Sequence, residues 1–140
     1  MKPFYWALLA ALTWGCVPIF EKLGLAKVSA LPGLFYRSMG VLLGAVILLV
    51  VQFQQIKEAA GNGSWSNLWY LMIGGFLASV IGQIFFYNAL KYGEASQVVP
   101  LAGVYPLISF ILGLIFLGEH FTMAKVVGLA FVMIGVILLK

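Results

Sequence analysis

Five runs of about 20 mostly apolar residues, parted by short polar breaks, constrain this chain more than anything else in it. A helix needs about that length to cross the hydrocarbon core of a bilayer. The runs fall at about 3–25, 31–52, 67–92, 95–117 and 123–139, and they use most of the 140 residues. No room is left for a separate soluble domain. Only 9% of the residues are charged and 64% are hydrophobic, whereas a soluble domain is about 25% charged. In lipid the backbone must satisfy its own polar groups, so apolar runs of this length are helices. The expected fold is all-α: one domain over residues 1–140, an integral membrane bundle of five transmembrane helices.

The breaks carry ordinary turn signals. Pro3 suits a helix start, and Leu31-Pro32-Gly33 and Gly93-Glu94 read as turns. Gln52 to Ser64, with Gln54, Gln55, Lys57, Glu58 and Gly61-Asn62-Gly63-Ser64, reads as the longest polar connection. Trp65 and Trp69 suit the membrane interface. Gly118-Glu119-His120 turns again, Thr122 can cap the fifth helix, and Lys140 falls at the interface. Lys2 and the apolar run behind it resemble a signal peptide, but Trp14, Pro18 and Glu21 suit a retained helix better than a cleavage region. Trp14 also argues against a lipoprotein site at Cys16. That cysteine is the sole one in the sequence, so no intrachain disulfide is expected.

The net charge of +4 is no nucleic-acid signal, because the cations are scattered near helix ends and form no basic run. There they suit lipid headgroups. An odd number of spans puts the two termini on opposite sides of the membrane. One side then carries Lys2, Lys57 and Lys125; the other carries Lys22, Lys27, Arg37, Lys91 and Lys140. So slight a bias permits insertion both ways round. It equally permits one fixed orientation with the five-cation side cytoplasmic.

Polar and small residues gather on particular faces. In the third run Gly74, Ala78 and Gly82 step by four, as do Gly75, Ser79, Gln83, Tyr87 and Lys91. Such steps hold a slowly winding face, and small residues there let helices approach closely. Gln83 and Asn88 either bond to another helix or line a cavity. Gly40 and Gly44 make a GxxxG pair in the second run. Arg37 lies one turn beyond Pro32-Gly33, about 7 Å along the axis. It either snorkels to the interface or faces inward, toward an anionic group or Glu21. Trp14, Pro18 and Glu21 share a face of the first run, and Pro18 should kink it. Glu21 is either a proton carrier in low dielectric or an inert headgroup-level carboxylate beside Lys22 and Lys27. In the fourth run Pro100 and Pro106 free the carbonyls of Ser96 and Ala102 and weaken the helix. Gln97, Leu101, Tyr105, Ser109 and Gly113 share one of its faces, a candidate binding wall.

Catalytic chemistry is missing. One His and one Cys lie far apart, the carboxylates sit at separate helix ends, and neither a nucleophile elbow nor a phosphate-binding loop is present. No metal site and no cofactor are expected, and the chain does not read as an enzyme.

Several residues in order carry a family resemblance. They are Trp14-Gly15, Lys22, Arg37, Tyr87-Asn88-Ala89-Leu90-Lys91-Tyr92, Ala95, Pro100-Leu101, Pro106, Phe116-Leu117-Gly118-Glu119 and Gly128 with Gly135-Val136. Together they resemble the EamA-like domain of the drug/metabolite transporter superfamily over nearly the whole chain. Lys125 departs from the pattern, where the family often has glutamine, and puts a local cap in question. The resemblance implies a transporter moving metabolites, amino acids or drugs by alternating access. Larger members hold two such domains in opposite orientations around a central cavity. A single domain would rebuild that fold as an antiparallel homodimer, as the four-helix small multidrug transporters do. By that analogy the first four helices line the cavity and the fifth is peripheral. Trp14, Arg37, Tyr87 and Tyr105 are carried over as pocket candidates; Gln83, Asn88 and Gln97 join them from the face reading. Glu21 does not match the coupling glutamate of the small multidrug transporters, which lies mid-helix. Glu119 reads as a turn or pairing residue.

Two functions stay open at this point. The first is a transporter of a small organic solute in a prokaryotic plasma membrane, acting as an inverted homodimer. The second is a non-transporting subunit, or a half-transporter that needs an unlike partner chain.

Overall fold

A computed structural model describes residues 3–61 and 65–139. Lys2, Asn62-Gly63-Ser64 and Lys140, which enter the charge and loop readings above, lie outside the described residues. Every element among those described is helical: α1 (Pro3–Leu25), α2 (Ala30–Val51), α3 (Phe53–Gly61), α4 (Trp65–Phe76), a π-helical turn (Leu77–Ile81), α5 (Gly82–Tyr92), α6 (Ala95–Ala102), α7 (Tyr105–Phe116) and α8 (Met123–Leu138). Four continuous stretches are long and apolar enough to cross a membrane: Pro3–Leu25, Ala30–Val51, Trp65–Tyr92 and Ala95–Phe116. The fifth apolar helix, Met123–Leu138, is shorter. The fold is therefore the expected all-α membrane fold.

Four details differ from the sequence reading. The polar connection after Gln52 is mostly helix α3. Its Gln, Lys, Glu and Ala residues are good helix formers, and Phe53, Ile56 and Ala60 fall on one face, as in a helix lying along an interface. The third run contains the π turn, in which the Gly82 N–H bonds to the Leu77 carbonyl. The fourth run is two helices rather than one kinked helix. Pro106 has no N–H to offer the Ala102 carbonyl, and the chain re-forms a helix at Tyr105 after Gly103 and Val104. The fifth helix stops at Leu138, and its 16 residues span about 24 Å. Pro18, by contrast, is accommodated inside α1, which stays helical from Pro3 to Leu25.

The chain forms two compact units, residues 20–91 and residues 1–19 with 92–140. The buried side chains of the first unit are Leu25, Ala30, Leu34, Tyr87 and Leu90. They sit where the end of α1, the start of α2 and the end of α5 converge. In the second unit the Gly118 turn has a left-handed backbone, φ 62°, a conformation that favours glycine. It lets the Glu119 N–H return to the Gly113 carbonyl at 3.2 Å. Thr122 caps α8 by accepting the Lys125 N–H at 3.4 Å, so lysine at 125 leaves the cap in place.

Candidate functional site

The unit of residues 20–91 holds an ionic cluster inside its small core. Glu21 lies one turn before the end of α1, Arg37 two turns into α2, and Tyr87 in the second half of α5. Arg37 Nε donates to Glu21 Oε1 at 3.1 Å, and Tyr87 Oη donates to the same oxygen at 3.0 Å. The Glu21 side chain is 8% exposed and that of Arg37 26%. Of the two sequence alternatives for Arg37, the structure has the inward one, on Glu21. Low dielectric strengthens the attraction, but removing two charges from water is costly unless further hydrogen bonds satisfy them. Tyr87 supplies one such bond.

Close packing holds the three groups in place. Gly33 lies against Leu25 and Tyr87: a Cβ there would sit 2.8 Å from Leu25 Cδ2 and 3.6 Å from the tyrosine ring. Two lysines tie the helix ends together. Lys22 Nζ donates to the Leu90 carbonyl at 2.6 Å. Lys91 Nζ donates to the Leu25 and Val28 carbonyls. Each of these two helices thus lends a lysine to the carbonyl end of the other, where the macrodipole is negative. Lys22 and Lys91 had read as lipid anchors. A cation in the last turn of each helix was the available signal, but the crossing-over of the two was not legible.

Two polar atoms in this unit are buried without a hydrogen-bond partner, Arg37 Nη1 and Gln83 Oε1. Gln83 stands one turn before Tyr87 on α5, and Arg37 is the residue paired with Glu21. Asn88 is exposed and donates to the Ile84 carbonyl of its own helix at 2.8 Å. The bond to another helix offered as one alternative for Asn88 is not made.

The remaining candidates belong to the other unit. Trp14 is 65% exposed and Tyr105 59%, and Gln97 is exposed too. Tyr105 borders an open groove of about 600 Å³ shared with Pro106, Ser109, Phe110, Glu119 and Lys125. Glu119 pairs with Lys125 at 3.7 Å and packs its carboxylate on Gly113. Back in the unit of residues 20–91, a Cβ on Gly40, Gly44 or Gly74, the residues read as packing faces, would meet nothing within 4 Å among the described residues. Ala78 is exposed. At Gly82 the atom met is the Leu77 carbonyl of the π turn, at 3.2 Å.

Comparison with known proteins places this arrangement in a family. The chain is 30% identical over 137 residues to "Uncharacterized transporter in cobO 3'region" of Sinorhizobium sp, covering 96% of this chain and 94% of that one. It is 32% identical over 133 residues to "Uncharacterized protein MJ1333.1" of Methanocaldococcus jannaschii, covering 95% and 92%. It is 26% identical to "Uncharacterized transporter YoaV" of Bacillus subtilis over 92% of this chain but 43% of that longer protein. No solved structure matches. The profile of the EamA-like transporter family matches residues 1–140. With that match over its whole length, the chain belongs to the EamA-like transporter family.

Proposed function

We propose that the protein moves a small organic solute across a prokaryotic plasma membrane by alternating access, as one five-helix domain paired with an inverted copy of itself. It would act as a carrier and not as an enzyme. The observation that carries this reading is the Glu21–Arg37–Tyr87 cluster. A family of transporters supplies the context, and a part-buried ion pair between membrane helices is costly to keep unless it serves a solute or ion path. Glu21 is the proton carrier in this reading. Arg37, Gln83, Tyr87 and Asn88 are the pocket candidates of the unit of residues 20–91, and Trp14, Gln97 and Tyr105 are those of the other unit. The homodimer draws support from two facts. Relatives of this length occur as nearly whole chains, while the same stretch makes up 43% of the Bacillus subtilis relative. The glycine faces at 40, 44 and 74 are also unfilled within one copy.

Purified protein in liposomes should show saturable solute flux driven by a pH gradient, and Glu21→Gln should remove the pH dependence. Unchanged pH dependence would take the proton from Glu21. Cysteines placed near Lys2 and Lys140 in a Cys16→Ser background should label from both sides of the membrane. One-sided labelling would exclude the inverted pair. Recovery of an unlike partner chain with no flux by this chain alone would replace it with a half-transporter.

A further inference from the structure

We infer, resting on the transporter reading above, that the solute is a small hydroxy-carboxylate whose carboxylate takes the place of Glu21 on Arg37 when Glu21 is protonated. Two unpartnered polar atoms point to it. Arg37 meets Glu21 through Nε, and its buried Nη1 has no partner. A guanidinium is built to hold a carboxylate through two parallel N–H bonds. One turn from Tyr87, the buried Gln83 Oε1 is an acceptor without a donor. The cluster therefore lacks one acceptor and one donor, which a carboxylate with a neighbouring hydroxyl supplies together.

The surrounding charges choose between a hydroxyl and an ammonium as that donor. α1 contributes Glu21 and Lys22, α2 contributes Arg37, and α5 contributes Tyr87 and Lys91. At these helix ends Lys22, Arg37 and Lys91 outnumber Glu21, although the two lysines donate to backbone carbonyls, so a solute ammonium is disfavoured and a neutral hydroxyl is not.

The exchange balances. A proton from the aqueous side bonds to a Glu21 carboxylate oxygen and makes it a neutral acid. Arg37 keeps its charge, loses its counter-ion and takes the solute carboxylate. Arg37 with ionised Glu21 is neutral as a group, and so is Arg37 with protonated Glu21 and a bound anion. One proton and one anion thus enter and leave together.

Calorimetric titration of the protein in lipid nanodiscs, with lactate, propionate and isopropylamine as probes, tests this without requiring flux. Lactate should bind more tightly than propionate, and isopropylamine should not bind. The buffer dependence of the lactate heat should show uptake of one proton per anion. Arg37→Gln should weaken lactate by at least about tenfold. Glu21→Gln should bind lactate with no proton uptake, and Gln83→Leu should reduce lactate to the level of propionate while leaving propionate unchanged. The last two variants keep the test decisive if Arg37→Gln fails to fold. Preference for isopropylamine, lactate binding indifferent to Arg37→Gln, or proton uptake persisting in Glu21→Gln would overturn the inference. Lactate binding without flux in liposomes would defeat the transporter reading alone. Flux of an amine with no carboxylate binding would defeat this inference alone.

Discussion

Removing either partner of the Glu21–Arg37 pair should destabilise the protein unequally. The Glu21 side chain is 8% exposed and that of Arg37 26%. Arg37→Gln leaves a buried carboxylate with the Tyr87 hydroxyl as its remaining donor, and an uncompensated buried charge costs about 3–5 kcal/mol. Glu21→Gln leaves Arg37 unpaired, on a side chain that is about a quarter exposed. The new amide oxygen still accepts from Tyr87 and Arg37, so the loss is that of charge assistance, about 1–2 kcal/mol. The double variant holds no buried charge and should recover part of the Arg37→Gln loss, giving a coupling of about 1–3 kcal/mol. Reversible unfolding in mixed micelles measures all four corners of the cycle. Equal losses in the two single variants, or losses that add to within about 0.5 kcal/mol, would refute the reasoning. Either result would mean that the carboxylate is as well hydrated as the guanidinium and that the pair is a surface contact.

Three further outcomes follow from the packing. Gly33→Ala should lose about 1–2 kcal/mol, an overpacking cost partly offset by helix propensity. Its combination with Leu25→Val should lose less than the sum of the two singles in the same unfolding assay, because the Leu25 methyl is the atom struck. Lys91→Met should cost about 1–2 kcal/mol by uncapping the end of α1; Lys57→Met, at an exposed site on α3, should leave the melting temperature unchanged. Gly118→Ala should cost about 1–2 kcal/mol, since alanine resists a left-handed backbone, and Gly118→Asn should cost less, as a smaller fall in melting temperature.

What the sequence disclosed divides along physical lines. The spans were legible because lipid enforces a simple rule of length and polarity, which about 20 residues obey or break. The Thr122 cap and the Gly118 turn were legible because their causes lie within a few residues of each other. Arg37 and Glu21 could be named as alternatives but not joined. Their meeting depends on how closely α1 and α2 approach at Gly33, a distance set by side chains far apart in sequence. The lysine caps on Leu90 and Leu25 escaped for the same reason. Stepping by four marked Gly40, Gly44 and Gly74 as packing faces, yet among the described residues a Cβ there would meet nothing within 4 Å. Periodicity shows which face is small and is silent on what lies against it.

The π turn shows how a local irregularity can serve a long-range pattern. On an unbroken α-helix the four steps from Gly75 to Lys91 would carry their band about 160° around the axis. Tyr87 and Lys91 would then point well away from Gly75 and Ser79. A π turn holds one extra residue, which takes back about 100° of that rotation and leaves about 60°. The turn occupies Leu77–Ile81, around Ser79, so that it turns Gly75 back toward Gln83, Tyr87 and Lys91. Exposure falls along the corrected face, from exposed Gly75 through part-buried Ser79 and Gln83 to buried Tyr87. Gln83, two residues past the turn, owes its place one turn from Tyr87 to α5, but its alignment with the glycine end of the helix to the π turn. A regular helix in its place would rotate that glycine end away from the side on which Glu21 and Arg37 meet Tyr87. The band would then no longer run on one face from the middle of the membrane span to the ion pair near its end.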